Sequence, residues 1–91
     1  MTVKVKFFAH FRELFGGRVR DLEVPDGATA GDALAVLCDT AERRAGIFAG
    51  AGLQPHLVVM VNGVHVASLD GLATPLSPGD TLAVFPFLVG G

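Results

Sequence analysis

Residues 29–46, TAGDALAVLCDTAERRAG, decide the fold, because their apolar side chains recur at helical spacing. Thr29 and Asp32 stand at the two positions of a capping box, and Gly46 is a typical helix end. The apolar positions form one face: Ala30, Ala33, Leu34, Leu37, Cys38, Ala41 and Ala45. A single helix with one apolar face must pack on a sheet, since nothing else in the chain can bury that face.

Two strands are expected before this helix. Residues 2–9 alternate between inward apolar and outward side chains, as a half-buried strand does. Residues 10–15 form a short connector with room for one helical turn. Residues 18–24 read as a second strand, although Val19 is out of phase with Leu22, which a β-bulge would reconcile.

Three strands are expected after the helix. A glycine-rich connection over residues 46–56 leads to a continuous apolar run at Leu57–Val61, which is typical of a strand covered on both sides. Asn62-Gly63 is the strongest short signal for a type I′ hairpin turn. Residues 64–67 are the returning strand, and residues 81–86 form the last one.

The element order is therefore strand, strand, helix, strand, strand, strand. Hairpins at both ends with a helical crossover between them predict an α+β domain of the β-grasp, or ubiquitin-like, class. We expect a five-stranded mixed sheet with one main helix on one face and with the first and last strands parallel and adjacent at its centre. One domain covers residues 1–91, and residues 87–91 form a flexible Gly-Gly tail.

The composition fits one small globular domain. The chain has 91 residues, 51% of them hydrophobic and 18% charged, with a formal net charge of −2. This charge argues against a nucleic-acid partner, and no apolar run reaches the roughly 18 residues of a membrane span. The first residues lack the apolar block of a signal peptide, so we expect the protein in the cytoplasm.

The cysteine and the histidines do not predict a reactive site. The single cysteine, Cys38, excludes an internal disulfide, and its place on the apolar helix face favours a buried, inert thiol over a persulfide carrier. The three histidines, His10, His56 and His65, share no ligand spacing, so we expect no metal site.

The positive charges are unevenly placed along the chain. Five of the seven lie within the first twenty residues: Lys4, Lys6, Arg12, Arg18 and Arg20. Such a cluster is most often a solvated face, and less often a docking patch for an acidic protein partner. The sequence leaves both interpretations open.

The chain ends on Gly90 and Gly91, after a strand-like stretch. Glycine has no Cβ, so this end can enter a channel too narrow for any other residue; a frayed terminus is the alternative. Residues 86–91 span roughly 16–18 Å when extended, enough to reach a partner's catalytic centre. No catalytic group of residues stands out elsewhere, so we expect the chemistry at the Gly91 carboxylate, which a partner would activate as a mixed anhydride with AMP.

Two phenylalanines are expected beside the base of this tail. Alternation in the first and last strands turns Phe8 and Phe85 away from the helix, and adjacent strands would bring the two rings together. An exposed aromatic pair predicts a protein-docking surface, unless the connector around Phe11 or the loop at residues 46–56 covers it. Three further residues are expected to extend or border this surface: Phe87, Leu88 and His65.

Three stretches carry a family resemblance: VKVKFFAHFRELFG at residues 3–16, VMVNG at 59–63 and PLSPGDTLAVFPFLVGG at 75–91. Together with the helix between them, they resemble the MoaD/ThiS family of ubiquitin-like sulfur carriers over nearly the whole chain. Within that family they are most similar to the small subunit of molybdopterin synthase. The pattern departs at Phe87, where the family has a second proline.

The resemblance implies a protein that is not catalytic alone and binds no cofactor itself. A ubiquitin-activating-type enzyme would use ATP to adenylate Gly91, and sulfur transfer would then give a thiocarboxylate. The tail, in which Gly90 and Gly91 match the family pattern, would enter the large subunit of molybdopterin synthase, in a possible heterotetramer, and supply sulfur for the dithiolene of molybdopterin. The residues that match the family's partner-facing surface are Phe8, Phe85 and His65, with Arg12 in its FFAxxREL segment.

Three alternatives stay open at this point. The sulfur could go to another pathway, such as thiamine, cysteine or tRNA thiolation. The chain could instead be a covalent protein modifier, joined through Gly91 to lysines of other proteins. It could also be an interaction module whose terminal glycines are coincidental.

Overall fold

The computed structural model describes residues 1–87. Its strands and helices, in chain order, are β1 (Thr2–Phe7), α1 (Phe11–Phe15), β2 (Val19–Glu23), α2 (Ala30–Leu37), α3 (Ala41–Ile47), β3 (Phe48–Ala49), β4 (Gly52–Leu53), β5 (Leu57–Val61), β6 (Val64–His65) and β7 (Thr81–Pro86). Two single-turn 3₁₀ helices, Val66–Ser68 and Gly71–Ala73, lie between β6 and β7.

The main sheet has five strands in the order β2-β1-β7-β5-β6. β1 and β7 run parallel at its centre, where Lys4 is opposite Thr81 and Phe7 is opposite Val84. The other neighbours in this sheet are antiparallel. The expected β-grasp architecture, with its parallel central pair, is therefore confirmed.

The core lies between this sheet and α2. Alternate residues of β1 and β7 are buried, and so is one face of α2. Phe7 and Phe15 stack with ring centroids 4.6 Å apart, which packs α1 against the same core. Burying a side chain as completely as Leu34 contributes about 1.5–3 kcal/mol, so the helix-covered face supplies the main favourable term in folding.

The helix expected over residues 29–46 is two helices. Its start is confirmed, because the Asp32 N–H donates to Thr29 Oγ1 at 3.2 Å and the Thr29 N–H donates to the Asp32 carboxylate at 2.9 Å. α3, however, has its own N-cap at Thr40, whose hydroxyl accepts from the Arg43 N–H at 3.1 Å. The expectation of one continuous helix was wrong because a threonine that can cap competes with helix continuation.

Gly46 has a packing role rather than a capping role, since α3 continues to Ile47. A Cβ at Gly46 would lie 2.7 Å from Leu14 Cδ2, so glycine allows α3 to approach α1 closely. The connection over residues 46–56 also has more structure than expected, because it contains the small β3–β4 hairpin.

Three strands differ from the expected bounds, and β2 is one residue shorter at each end than residues 18–24. β1 stops at Phe7 because Ala9 turns the chain with a φ of 53°. β6 ends at His65, where the first 3₁₀ turn begins, rather than at residue 67. β2 pairs with β1 in unbroken register over its described length, so the expected bulge was wrong, and Val19 simply lies on the solvent side with 52% of its surface exposed.

The turn between β5 and β6 is confirmed. Asn62 and Gly63 have φ values of 50° and 82°, as a type I′ turn requires. The Asn62 side chain donates to Asp80 Oδ1 at 2.9 Å and accepts from the Thr81 N–H at 2.9 Å. These bonds tie the β5–β6 turn to the start of β7, which fixes the register between β5 and β7.

Candidate functional site

The outer face is the side of the main sheet that α2 does not cover, and Phe8 and Phe85 meet there. Phe8 follows β1 directly, and its N–H donates to Val84 O at 3.1 Å, so the chain stays alongside β7. The two rings pack edge to face, with centroids 5.9 Å apart and planes at 84°. Strand alternation predicts this placement, and the geometry confirms it.

The rings remain accessible. Phe8 keeps 39% of its surface exposed, and Phe85 is half-buried. The connector does not cover them, because Phe11 is only 3% exposed and belongs to the core. Phe48 and Leu53, in the loop that was the other candidate cover, also pack against the core. The alternative of a covered aromatic pair is therefore wrong.

A shallow apolar depression surrounds the pair, and we call its lining the aromatic surface: Phe8, Ala9, Met60, Ala83, Phe85 and Pro86. Met60 and Ala83 face each other in the β5–β7 register, on the same side as Phe85. Sequence reasoning missed Met60, because the continuous apolar run of β5 has no alternation to reveal its outward position. The β5–β7 register supplies that signal.

Arg12 supports Phe8 from the first turn of α1. Its guanidinium carbon lies 5.6 Å from the centre of the Phe8 ring, and its Nε donates to Phe7 O at 3.1 Å. A guanidinium at this distance from an aromatic face is attracted to it by about 0.5–1 kcal/mol. Ala9, the residue after Phe8, turns the chain with a backbone in the left-handed region. The contacts of Arg12 and the turn at Ala9 therefore both constrain the position of the Phe8 ring.

His65 lies on the outer face as expected. His65 of β6 pairs with Met60 of β5, and Met60 also pairs with Ala83 of β7. The register therefore places all three side chains on one side of the sheet. His65 is half-buried at the border of the aromatic surface. Its predicted role in partner binding stays a prediction.

The base of the tail is described as far as Phe87. Its N–H donates to His56 O at 2.6 Å, and its side chain is 56% exposed just beyond β7. Phe87 is therefore an exposed apolar side chain directly beyond β7. The other predicted tail residues, Leu88, Gly90 and Gly91, lie outside the described residues.

The five clustered cations do not form one patch. Lys4 and Lys6 are exposed on the outer face, where they flank β7. Arg20 instead has a structural contact, because its Nη2 donates to Phe15 O at 3.0 Å. Arg18 is exposed on the β2 side of Phe7, so of the expected cluster Lys6 and Arg12 lie next to the aromatic surface and Lys4 lies one row further away.

Cys38 is buried with 7% exposure, as expected for an inert thiol, and its Sγ lies 3.6 Å from Arg43 O. Burial raises the pKa of the thiol, and the positive charge of Arg44 offsets part of that rise. Within residues 1–87, no cluster of three or more His, Cys, Asp or Glu side chains is placed to hold a metal ion. Among the helices of that same part of the chain, none has the length and hydropathy needed to cross a bilayer.

The fold and the outer face define a small ubiquitin-like protein with an exposed aromatic surface at the end of its last strand. The ThiS family matches residues 5–91, and the chain belongs to that family. It is 41% identical to small archaeal modifier protein 3 of Haloferax volcanii over 92 residues, covering 100% of both chains.

Two solved structures show the same architecture over nearly the full length. SAMP1 from Haloferax volcanii has a TM-score of 0.82 at 30% identity, covering 100% of both chains. A candidate molybdopterin converting factor, subunit 1, from Pyrococcus furiosus has a TM-score of 0.78 at 31% identity, covering 97% of this chain and 99% of that one. The chain thus belongs to the class of small ubiquitin-like modifiers and sulfur carriers.

Proposed function

We propose that this chain is the sulfur carrier of molybdopterin synthesis, with a thiocarboxylate formed at Gly91. The observation that carries the proposal is the exposed Phe8–Phe85 pair at the end of β7, where the chain leaves the domain toward Gly90-Gly91. A partner that binds this aromatic surface lies beside the end of β7, from which the sequence runs only five residues further to Gly91. The likeness to a candidate molybdopterin converting factor subunit supports the pathway.

The chemistry takes place on the main chain in two balanced steps. A carboxylate oxygen of Gly91 attacks the α-phosphate of ATP on a ubiquitin-activating-type enzyme, which forms the acyl adenylate and releases pyrophosphate. A hydrosulfide-level sulfur donor then attacks the acyl carbon, and AMP leaves with the electron pair of the acyl–oxygen bond. The product is a thiocarboxylate, whose sulfur is the nucleophile for the pterin precursor in the large subunit of molybdopterin synthase.

The folded body contributes position rather than a catalytic group. β7 pairs with β1 as far as Val84 and with β5 as far as Pro86, so the sheet fixes the position of the strand end that precedes the tail. Docking the aromatic surface outside a partner's channel makes delivery of the tail effectively intramolecular, which replaces a costly bimolecular encounter. The glycines at the tip let the acyl carbon approach catalytic groups that a side chain would block.

Mass spectrometry tests the proposal directly. We expect the protein, co-expressed with its activating enzyme and a sulfur source, to gain the mass of one oxygen-to-sulfur exchange. Deleting Gly90 and Gly91 should abolish this species. With a matching large subunit of molybdopterin synthase, the sulfurated form should then convert the pterin precursor to the dithiolene. If only that step fails, the protein carries sulfur for another pathway.

A matched pair of variants tests the docking surface in the same assay. Phe85→Ala should slow thiocarboxylate formation, whereas Val36→Ala, which trims a 49% exposed side chain on the solvent side of α2, should not. Equal rates of thiocarboxylate formation for both variants would show that the aromatic surface does not contribute to activation. Thermal unfolding of both variants checks that neither effect comes from loss of the fold.

A second function, covalent protein modification, is favoured by the 41% identity to a small archaeal modifier protein. It begins from the same adenylate, but a lysine amine attacks the acyl carbon and an isopeptide bond forms as AMP leaves. Gly-Gly remnants on lysines of other proteins after digestion would support this function. If these remnants are absent and thiocarboxylated protein is present, the results would support the sulfur-carrier function without protein modification.

A further inference from the structure

The outer face is polarised in charge along β1 and β2. Register places Lys6 beside Ala83, next to the aromatic surface, and Lys4 beside Thr81, one row further away. The acidic side chains of this face, Asp21 and Glu23, lie on β2 opposite Lys4 and Thr2, at the end remote from the aromatic surface. The end near the aromatic surface is therefore cationic and apolar, whereas at the far end Asp21 and Glu23 lie beside Lys4 and the N-terminal ammonium, which is 3.9 Å from Glu23 Oε2.

Lys6 and Lys4 differ in the residue that lies opposite them on β2. Directly opposite residues on neighbouring strands have Cβ atoms about 5 Å apart, so Asp21 lies within electrostatic reach of Lys4. The residue opposite Lys6 is Val19, which carries no charge. Within residues 1–87, none of Lys4, Lys6 and Arg12 forms an ion pair, although Glu13 adjoins Arg12 in α1.

Two cations that form no ion pair within residues 1–87 thus border the apolar surface on its β1–α1 side. Covering them with an uncharged surface would cost desolvation free energy that no new contact returns. A second copy of this chain is also a poor occupant, because a twofold contact brings the same patch, with Lys6 and Arg12, against itself. The charge pattern instead favours a partner that supplies carboxylates where these two side chains meet it.

We propose that the activating enzyme receives this face through an apolar recess for Phe8 and Phe85, with acidic side chains set against Lys6 and Arg12. The inference rests on the proposed function and adds the chemistry of the partner's surface. Arg12 has two roles in it, since it holds Phe8 through its ring contact and Nε while its positive charge faces the partner. Lys6 contributes charge alone, which makes it the cleaner residue to test.

ATP–pyrophosphate exchange by the purified ubiquitin-activating-type enzyme from the same genome measures KM for the carrier. Lys6→Gln should raise KM about two- to fivefold with kcat unchanged, and Lys6→Glu about tenfold or more. Lys4→Gln is the matched control and should change KM less, because Lys4 lies one row further from the aromatic surface and opposite Asp21. Raising salt from about 0.1 M, where the Debye length is about 10 Å, to about 0.3 M should raise the wild-type KM and narrow its difference from Lys6→Gln.

The outcomes separate the two proposals. If wild-type protein supports exchange while Lys6→Glu has an unchanged KM at both salt concentrations, the acidic partner surface is wrong and the carrier function stands. If wild-type protein supports no exchange, the carrier function fails and this inference fails with it. A concentration-dependent dimer of the wild type that Lys6→Glu dissolves would also overturn it, because the face would then bind a second copy.

Discussion

The two faces of one sheet differ in what holds their residues in place. On the inner face, Phe7 is 1% exposed and stacked on Phe15, as part of a core that α2 covers. On the outer face, the next residue, Phe8, is 39% exposed and has an edge contact with Phe85 and a guanidinium contact with Arg12. Adjacent residues of the same type thus lie in opposite environments.

This difference separates stability from function in one short segment. Folding removes the aromatic area of the inner face from water, so its burial stabilises the native state and is not available for binding. The area that Phe8 and Phe85 expose is still available to a partner, and a contiguous exposed apolar patch usually marks a binding site. Variants of the two faces should therefore separate unfolding free energy from binding.

Phe7→Ala should have the largest effect, because it removes a fully buried ring that stacks on Phe15. Truncating a core phenylalanine costs about 3–5 kcal/mol, a large share of the 5–15 kcal/mol by which domains of this kind are stable. Urea unfolding followed by circular dichroism measures the loss. A change below about 1 kcal/mol would mean that the Phe7–Phe15 stack contributes little to the fold.

Phe8→Ala should give the complementary result. It removes an exposed edge contact worth about 0.5–1.5 kcal/mol, so its unfolding free energy should fall by only about 1 kcal/mol. Its KM in ATP–pyrophosphate exchange should rise by about tenfold or more, as expected for a central aromatic contact. If Phe8→Ala instead destabilised the protein as much as Phe7→Ala, the two faces would not be independent.

Local signals account for what could be predicted of the fold. β5 and β7 have the bounds expected from the sequence, because Asn62-Gly63 requires a type I′ turn and both strands lie beside polar turn residues. The helix break could not be predicted from spacing, since Ala41 and Ala45 continue the apolar pattern across it. Thr40 divides the two helices, because its side chain caps α3 instead of continuing α2, and helical spacing does not reveal which threonine will cap.

The site residues also fall into two groups, those that the local sequence predicts and those that need tertiary information. Strand alternation alone predicts that Phe8 and Phe85 point away from the helix, because a period of two needs no tertiary information. Met60 needs the β5–β7 register, and the contact of Arg12 with Phe8 needs the turn at Ala9. The roles assigned to Gly90, Gly91 and Leu88 stay predictions.

Thr40→Ala sharpens the comparison between the two helices that cover the inner face. Removing a threonine N-cap costs about 1 kcal/mol, and Thr40 caps α3 through the Arg43 N–H. Thr29→Ala is the matched variant, because it removes the capping box of α2. Urea unfolding should show a loss of about 1 kcal/mol for each, and an unchanged stability for Thr40→Ala would mean that packing alone sets the start of α3.

Ala9→Gly should have the smallest effect on stability and tests how rigidly the outer face is built. Ala9 has a φ of 53°, which costs an L-residue about 1–2 kcal/mol, whereas glycine accepts it but loses about 0.5–1 kcal/mol of chain entropy on folding. The two terms nearly cancel, so the unfolding free energy should rise by about 0.5 kcal/mol.

The same substitution frees the turn that positions Phe8, so KM for the activating enzyme should rise about twofold even as the fold gains stability. Ala67→Gly, at an exposed position in the first 3₁₀ turn, is a control for the added chain entropy. A rise in stability with a rise in KM would show that the turn at Ala9 contributes to binding by holding the ring in place. A fall in KM would mean that the strained alanine holds Phe8 away from its bound position.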